Sequence, residues 1–143
     1  VRALLLDTNV LSEMMRHTPD AGVLAWFEKQ IGAIFYISAV TQAEILLGIA
    51  LLPAGKRRDA LALAADQMFQ EDFTGRCLPF NEAAAVEYSL LVAARIDAGR
   101  PISTEDAQIA AIAICHQLPL ATRNIRDFVQ IEKLEVRNPW ATS

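Results

Sequence analysis

The chain has 143 residues, a mass of 15.7 kDa, a hydrophobic fraction of 53% and a formal net charge of −4. That length and apolar content exclude a disordered chain and predict one domain, spanning 1–143, with a substantial core. The acidic balance argues against a generic nucleic-acid-binding module. No apolar run approaches the roughly 20 residues that cross a bilayer, which points to a cytosolic protein.

Ala3-Leu4-Leu5-Leu6 has no polar alternation, so it reads as a strand buried on both faces, as at the centre of a parallel sheet. It stops on Asp7-Thr8-Asn9. Asp7 either opens a turn or places a carboxylate at the carboxyl end of the strand, where open α/β sheets bind ligands. Val10 to Arg16 makes a short helix. Thr18 is expected to cap the next one, with Pro19 at its first position, Val23, Trp26 and Phe27 on one face and Gly32 at its end. Ile34-Phe35-Tyr36-Ile37 is a second buried strand. Ser38 to Leu52 is helical, with Ile45, Leu46, Ile49 and Leu52 at core spacing.

Beyond the break at Pro53-Ala54-Gly55, a long helix covers Lys56 to Phe73, opening with Lys56-Arg57-Arg58. This basic cluster is a solvated face or a contact for RNA or a partner. Cys77 to Phe80 is a short strand that Pro79 places near an edge. Asn81 caps a helix to Ala98, closed by Gly99-Arg100-Pro101, and Ser103 opens another that is apolar nearly all round from Gln108 to Cys115. Leu120-Ala121-Thr122 is a fourth strand, a short helix begins near Ile125, and Leu134-Glu135-Val136 adds an edge strand. Cys77 and Cys115 lack metal-ligand spacing and read as buried free thiols. The alternation predicts a three-layer α/β/α domain around a parallel sheet of four to five strands.

Three helix starts share one grammar. Thr41-Gln42-Ala43-Glu44, Ser103-Thr104-Glu105-Asp106 and Asn124-Ile125-Arg126-Asp127 each place a carboxylate three residues after a capping residue. The acids either finish helix ends or converge on Asp7, because helices that follow parallel strands start on the edge where Asp7 lies. Two carboxylates about 6 Å apart repel by roughly 3 kcal/mol at an effective dielectric near 20, against about 1 kcal/mol from a cap. A divalent cation would offset that repulsion. Oxygen ligands without nearby His or Cys suit Mg²⁺ or Mn²⁺ rather than Zn²⁺. His17, in a loop, and His116, near a helix end, have no nucleophile in a recognisable setting, and there is no phosphate-cradling glycine loop.

Leu6 to Asn9, Ser38 to Glu44, Asp106 to Ala111 and Ala121 to Asn124 together resemble the successive motifs of PIN domains, nearest to the VapC toxins of bacterial toxin–antitoxin pairs. Leu78-Pro79-Phe80 and Asn138-Pro139-Trp140 are similar to the FitB-type branch. The resemblance covers nearly the whole chain. It implies a type II toxin: an Mg²⁺-dependent ribonuclease, with Mn²⁺ as a substitute, that leaves a 5′-phosphate and a 3′-hydroxyl. It also implies a homodimer inhibited by a cognate antitoxin, reaching DNA only through that partner. By the family pattern Asp7, Glu44 and Asp106 are the first three acids. The fourth falls either at Asn124 or three residues later at Asp127; Asp127 is preferred as the charged group, with Asn124 as cap. Asp7 and Asp106 would hold the metal directly, Glu44 and Asp127 through water or at a second site. Thr8, Asn9, Thr122 and Asn124 would orient the acids from behind. Arg123, or Lys56 and Arg57 of the basic cluster, would either steer the RNA backbone or form surface salt bridges.

Two other readings stand beside this one. The chain could be a non-catalytic member of an antitoxin–DNA complex, its acids receiving an Arg or Lys of the partner. Or it could be a small-molecule phosphohydrolase: Asp7-Thr8-Asn9 resembles the start of a haloacid-dehalogenase phosphatase, although that family has a second Asp where Asn9 stands.

Overall fold

In the computed structural model, which describes residues 2–141, the opening strand is the hub. β1 (Ala3–Leu6) pairs in parallel with β2 (Ile34–Ser38) on one side and β4 (Leu120–Ala121) on the other. β3 (Cys77–Leu78) adds to β2 and β5 (Val136–Arg137) to β4, both parallel, giving the order β3-β2-β1-β4-β5. The short strand before Pro79 is indeed an edge. The second edge strand lies slightly beyond its expected place, at Val136–Arg137 instead of Leu134 to Val136.

The layering follows from side-chain alternation along each strand. Leu5 and its neighbour Leu120 face one core with Tyr36, while Leu6, Ile37 and Ala121 face the other. The first core is covered by α5 (Glu82–Asp97), α6 (Thr104–Cys115) and the one-turn α7 (Ile125–Phe128). The second is covered by α1 (Thr8–Met14), α2 (Ala21–Lys29), α3 (Ala39–Ala50) and α4 (Lys56–Gln67). Leu4, Leu5 and Leu6 are accordingly buried to 2% exposure or less. In α6, Ala107 and every residue from Ile109 to Ile114 are buried, as its unbroken apolar character requires.

Local chemistry sets several boundaries. Asn81 caps α5 by accepting the Ala84 N–H. The far end of α5 is a Schellman closure: Arg100 N–H reaches Arg95 C=O, Gly99 N–H reaches Ile96 C=O, and Gly99 takes φ +69°, which costs a residue without Cβ little.

Other expectations are corrected. The cap of α2 is Asp20, not Thr18: its carboxylate accepts the Val23 N–H, and buried Glu13 accepts the Asp20 N–H, which fixes the chain entering the helix. The first short helix starts at Thr8, capped by Asp7, instead of at Val10. The helix expected from Lys56 to Phe73 changes to a π-helical turn over Met68–Asp72. Ile34, at 39% exposure, is not buried; exposure falls along β2 until Ile37 and Ser38 are covered. Leu46 is 44% exposed; α3 turns Ile45 and Ile49 inward, and leaves Leu46, Leu47 and Leu51 outside. A helix apolar on all sides does not reveal in sequence which side is covered. Both cysteines are free but half-buried.

Candidate active site

Asp7 stands at the carboxyl end of β1 and is 3% exposed. Its Oδ1 accepts the Thr8 N–H at 2.8 Å as the cap of α1. Its Oδ2 accepts the Thr122 hydroxyl at 2.7 Å and the Asn9 amide at 3.1 Å. Burial raises its carboxyl above the usual range against the pull of these three donors, and the Asp127 charge adds to the rise. Thr122, fully buried at the end of β4, also accepts the Asn124 N–H at 3.0 Å, and Asn9 Oδ1 accepts the Arg123 N–H at 3.1 Å. Adjacent parallel strands thus place Thr122 and Asp7 side by side, although they are 115 residues apart in sequence.

Glu44 comes to the same edge by a route the sequence reading missed. The cap of α3 is Ser38, which accepts the Thr41 N–H at 3.0 Å, so Thr41 does not form a capping box with Glu44. Thr41 is instead fully buried, with its hydroxyl 2.9 Å from that of Thr8, and Thr8 donates to Glu44 Oε1 at 2.7 Å. A threonine has one hydroxyl proton and a carboxylate only accepts. With the Thr8 proton committed to Glu44, Thr41 must donate to Thr8. The chain Thr41–Thr8–Glu44 therefore has a fixed polarity.

Asp106 occupies the third position of α6, and its N–H donates to the capping Ser103 hydroxyl at 3.2 Å. Its carboxyl is pushed up to about 6, first by burial and then by the charge of Asp7; the Ser103 hydroxyl opposes the rise, and Asp127 and Glu44 add to it. The three other acids thus all act on Asp106. Whether their charges would reach one another is what spacing alone left open.

Asp127 lies exposed on α7. Asn124 sits at the N-cap position of that helix but makes no side-chain capping bond, because a helix of one turn closes through its backbone, Asp127 N–H to Asn124 C=O at 3.0 Å. The carbonyl of Asp127 is in turn held by Arg95, a buried guanidinium that donates to it at 2.9 Å and to the Arg100 carbonyl at 2.7 Å. Arg95 clips α7 to the loop that leads into α6. Nothing local in the sequence distinguishes it from an exposed helix arginine.

Of the basic residues, Arg57, Arg16 and His17 line one mostly apolar groove of about 790 Å³ between α1, α3 and α4, together with Thr8 and the acid Glu44. Lys56 is exposed at the start of α4 and is not among the groove's lining residues. Arg123 lies by the acids at the end of β4.

Among the described residues, no three acidic, histidine or cysteine side chains converge as a ready-made ligand set. The donor chemistry nonetheless fits a hard divalent cation. Mg²⁺ takes one or two carboxylates and retains several waters, and Asp7 and Asp106 are near enough for the charge of Asp7 to add to the rise that burial gives the Asp106 carboxyl.

Residues 4–134 match the PIN domain. The chain belongs to the PIN-domain family. It is 39% identical over 137 residues to the VapC ribonuclease Y4jK of Sinorhizobium fredii, covering 96% of this chain and 97% of that protein. It is 40% identical over 137 residues to Toxin FitB of Neisseria gonorrhoeae, covering 96% and 98%. Among solved structures, FitAB bound to an IR36 DNA fragment superposes with a TM-score of 0.88 at 38% identity, over 98% of this chain and 97% of that one. This PIN domain therefore has the parallel α/β architecture that the motif resemblance implies. No helix among the described residues is long and apolar enough to cross a membrane.

Proposed function

We propose that this PIN domain is the toxin of a toxin–antitoxin pair and acts as a metal-dependent ribonuclease. The observation that carries the reading is Asp7 at the carboxyl end of β1, its two oxygens fixed by Thr8, Asn9 and Thr122 and its charge acting on Asp106, in a chain whose residues 4–134 match the PIN domain. A cluster of like charges at the ligand-binding edge of a parallel sheet is unfavourable in isolation, and suits a site whose working state includes a cation.

Asp7 and Asp106 would hold Mg²⁺ or Mn²⁺, with Glu44 and Asp127 reaching it through water. When bound, such an ion lowers the pKa of an attacking water and neutralises charge on the phosphodiester. The chain's own residues supply the geometry. Thr122, Asn9 and the Thr8 N–H fix both oxygens of Asp7. Thr41 and Thr8 aim Glu44, and Arg95 holds the backbone of Asp127. Asn9 uses both ends of its amide, donating to Asp7 and accepting from Arg123. It is thus committed to orienting neighbours, which speaks against the phosphohydrolase that would need an acid there.

The FitAB complex bound to an IR36 DNA fragment supports an antitoxin partner, through which this chain would reach DNA. The groove beside Glu44, lined by Met15, Ile45, Ile49, Leu52 and Leu61, offers an apolar bed for a segment of that partner. The exposed Leu46, Leu47 and Leu51 of α3 suit burial in a homodimer or in the complex.

The test is RNA cleavage by antitoxin-free protein with and without Mg²⁺. Wild type should cleave only with the metal, and Asp7→Asn should lose activity at least 100-fold while keeping its fold by circular dichroism, an order of magnitude typical of a lost metal ligand or its orienting partner. Undiminished cleavage by the variant would refute the assignment. Absence of Mg²⁺ or Mn²⁺ binding in calorimetry would favour the non-catalytic reading.

A further inference from the structure

Arg123 is the first residue beyond Thr122, so it leaves the sheet directly beside the acids. Both its ends are fixed. Its N–H donates to Asn9 Oδ1 at 3.1 Å, on the amide that also holds Asp7. Its guanidinium lies over the ring of Trp140, 5.1 Å from the centroid. Trp140 is itself anchored: it packs on the core containing Leu6 and Ala121, follows the buried Pro139, and donates its N–H to Asn138 Oδ1 at 2.9 Å.

The charge of Arg123 is not committed elsewhere. Among the described residues it forms no salt bridge, and no cation figures among the groups that set the carboxyls of Asp7 and Asp106. A guanidinium stacked on an aromatic face keeps its N–H edge available for two parallel bonds to a phosphate, and the stacking removes much of the motion such a contact would otherwise freeze. By contrast, the exposed Lys56 lies at the start of α4.

The geometry points to Arg123 as the contact for an RNA phosphodiester flanking the acid cluster, with Trp140 as the positioning residue that holds its guanidinium. This rests on the ribonuclease reading above. It assigns a role to the Asn138-Pro139-Trp140 end of the described chain that packing alone does not require.

The experiment measures kcat and KM for cleavage of a labelled single-stranded RNA across a KCl series, for wild type, Arg123→Gln, Trp140→Leu, Trp140→Phe and the Arg123→Gln/Trp140→Leu double variant. One lost phosphate contact on a single strand flattens the slope of log(kcat/KM) against log[salt] by about 0.7 and weakens binding across all sequences alike. Arg123→Gln should show that flattening, with KM raised by roughly tenfold at low salt and kcat changed far less. Trp140→Leu should raise KM in the same direction, add nothing further in the Arg123→Gln background, and be rescued by Trp140→Phe.

A tryptophan that serves only packing would lower the melting temperature and raise KM equally in both backgrounds, which would overturn the proposal. An unchanged salt slope in Arg123→Gln would overturn it too, and this exposed position gives a folded variant even if Trp140→Leu does not fold. So would weakened antitoxin binding with RNA kinetics intact, which would assign Arg123 to the protein partner. Failure of wild type itself to cleave RNA would reject the ribonuclease reading instead; the salt slope would then be read from RNA binding by fluorescence anisotropy.

Discussion

Replacing Asp106 by Asn should make the metal-free protein more stable while destroying its activity. In the folded chain the Asp106 carboxyl stands at about 6 against an ordinary 3.8, through burial and the charges of Asp7, Asp127 and Glu44. That displacement disfavours the anion by about 3 kcal/mol before solvent screening, and partial exposure reduces it to about 1–2 kcal/mol. A carboxyl raised on folding binds its proton more tightly in the folded state than in the unfolded one. Between about pH 4 and pH 6 the unfolded chain therefore holds fewer protons, and stability falls as pH rises through that window. The Asp106→Asn substitution removes this penalty and keeps the backbone N–H bond to Ser103. For a chain of this length, 1–2 kcal/mol corresponds to about 3–7 °C in melting temperature. Thermal unfolding in EDTA should show wild type and variant level near pH 4 and separated by that margin at pH 7. Added Mg²⁺ should close the gap by raising the wild type. A variant no more stable than wild type at pH 7, or a difference independent of pH, would show that the acids do not crowd Asp106 as described.

Two further substitutions examine the supports behind the acids. Thr41→Val keeps the shape of a fully buried side chain but removes the donor to Thr8, so Glu44 loses its fixed orientation. Cleavage should fall by about 10-fold and return in Thr41→Ser, as is typical when a group orienting a metal-binding side chain is lost; wild-type kinetics in Thr41→Val would refute the Thr41–Thr8–Glu44 chain. Arg95→Met removes two bonds from a buried guanidinium to the Arg100 and Asp127 carbonyls, and should cost about 2–4 kcal/mol in urea unfolding. Hydrogen exchange over residues 125–128 should quicken in the same variant, and unaltered exchange there would mean that α7 is held by other contacts.

Much of the framework was legible because its causes are local. An apolar run of four residues that stops on turn formers is too short for a buried helix, so Leu4, Leu5 and Leu6 announced the middle of the sheet. Asn81 and Ser103 act on N–H groups within their own first turns, and Gly99 supplies the φ its helix end requires. Thr41 misled for the same reason. Ser38 and Thr41 are both competent caps, and the choice fell to Ser38 because β2 delivers the chain to the helix one turn earlier. Asp20 displaced Thr18 through its backbone bond to Glu13, a partner seven residues back that no capping rule includes.

Residue order settled which groups were available: Asp7 at a strand end, acids near several helix starts, and an alternation of strands and helices that closes only as a parallel sheet. Folding settled which of these meet. Parallel pairing of β1 with β4 brings Thr122 to Asp7, and α3 and α6 carry Glu44 and Asp106 to the same edge. It also turned Thr41 from a cap into a buried donor, and laid Arg123 on Trp140. Caps and turns depend on neighbours within one helical turn, whereas charge crowding and hydroxyl chains depend on distances between segments up to 115 residues apart, which only the crossover connections set. Asp7 is thus a turn residue or a site residue according to what lies across from it, and the fold brings it within reach of the charges of Asp106 and Asp127.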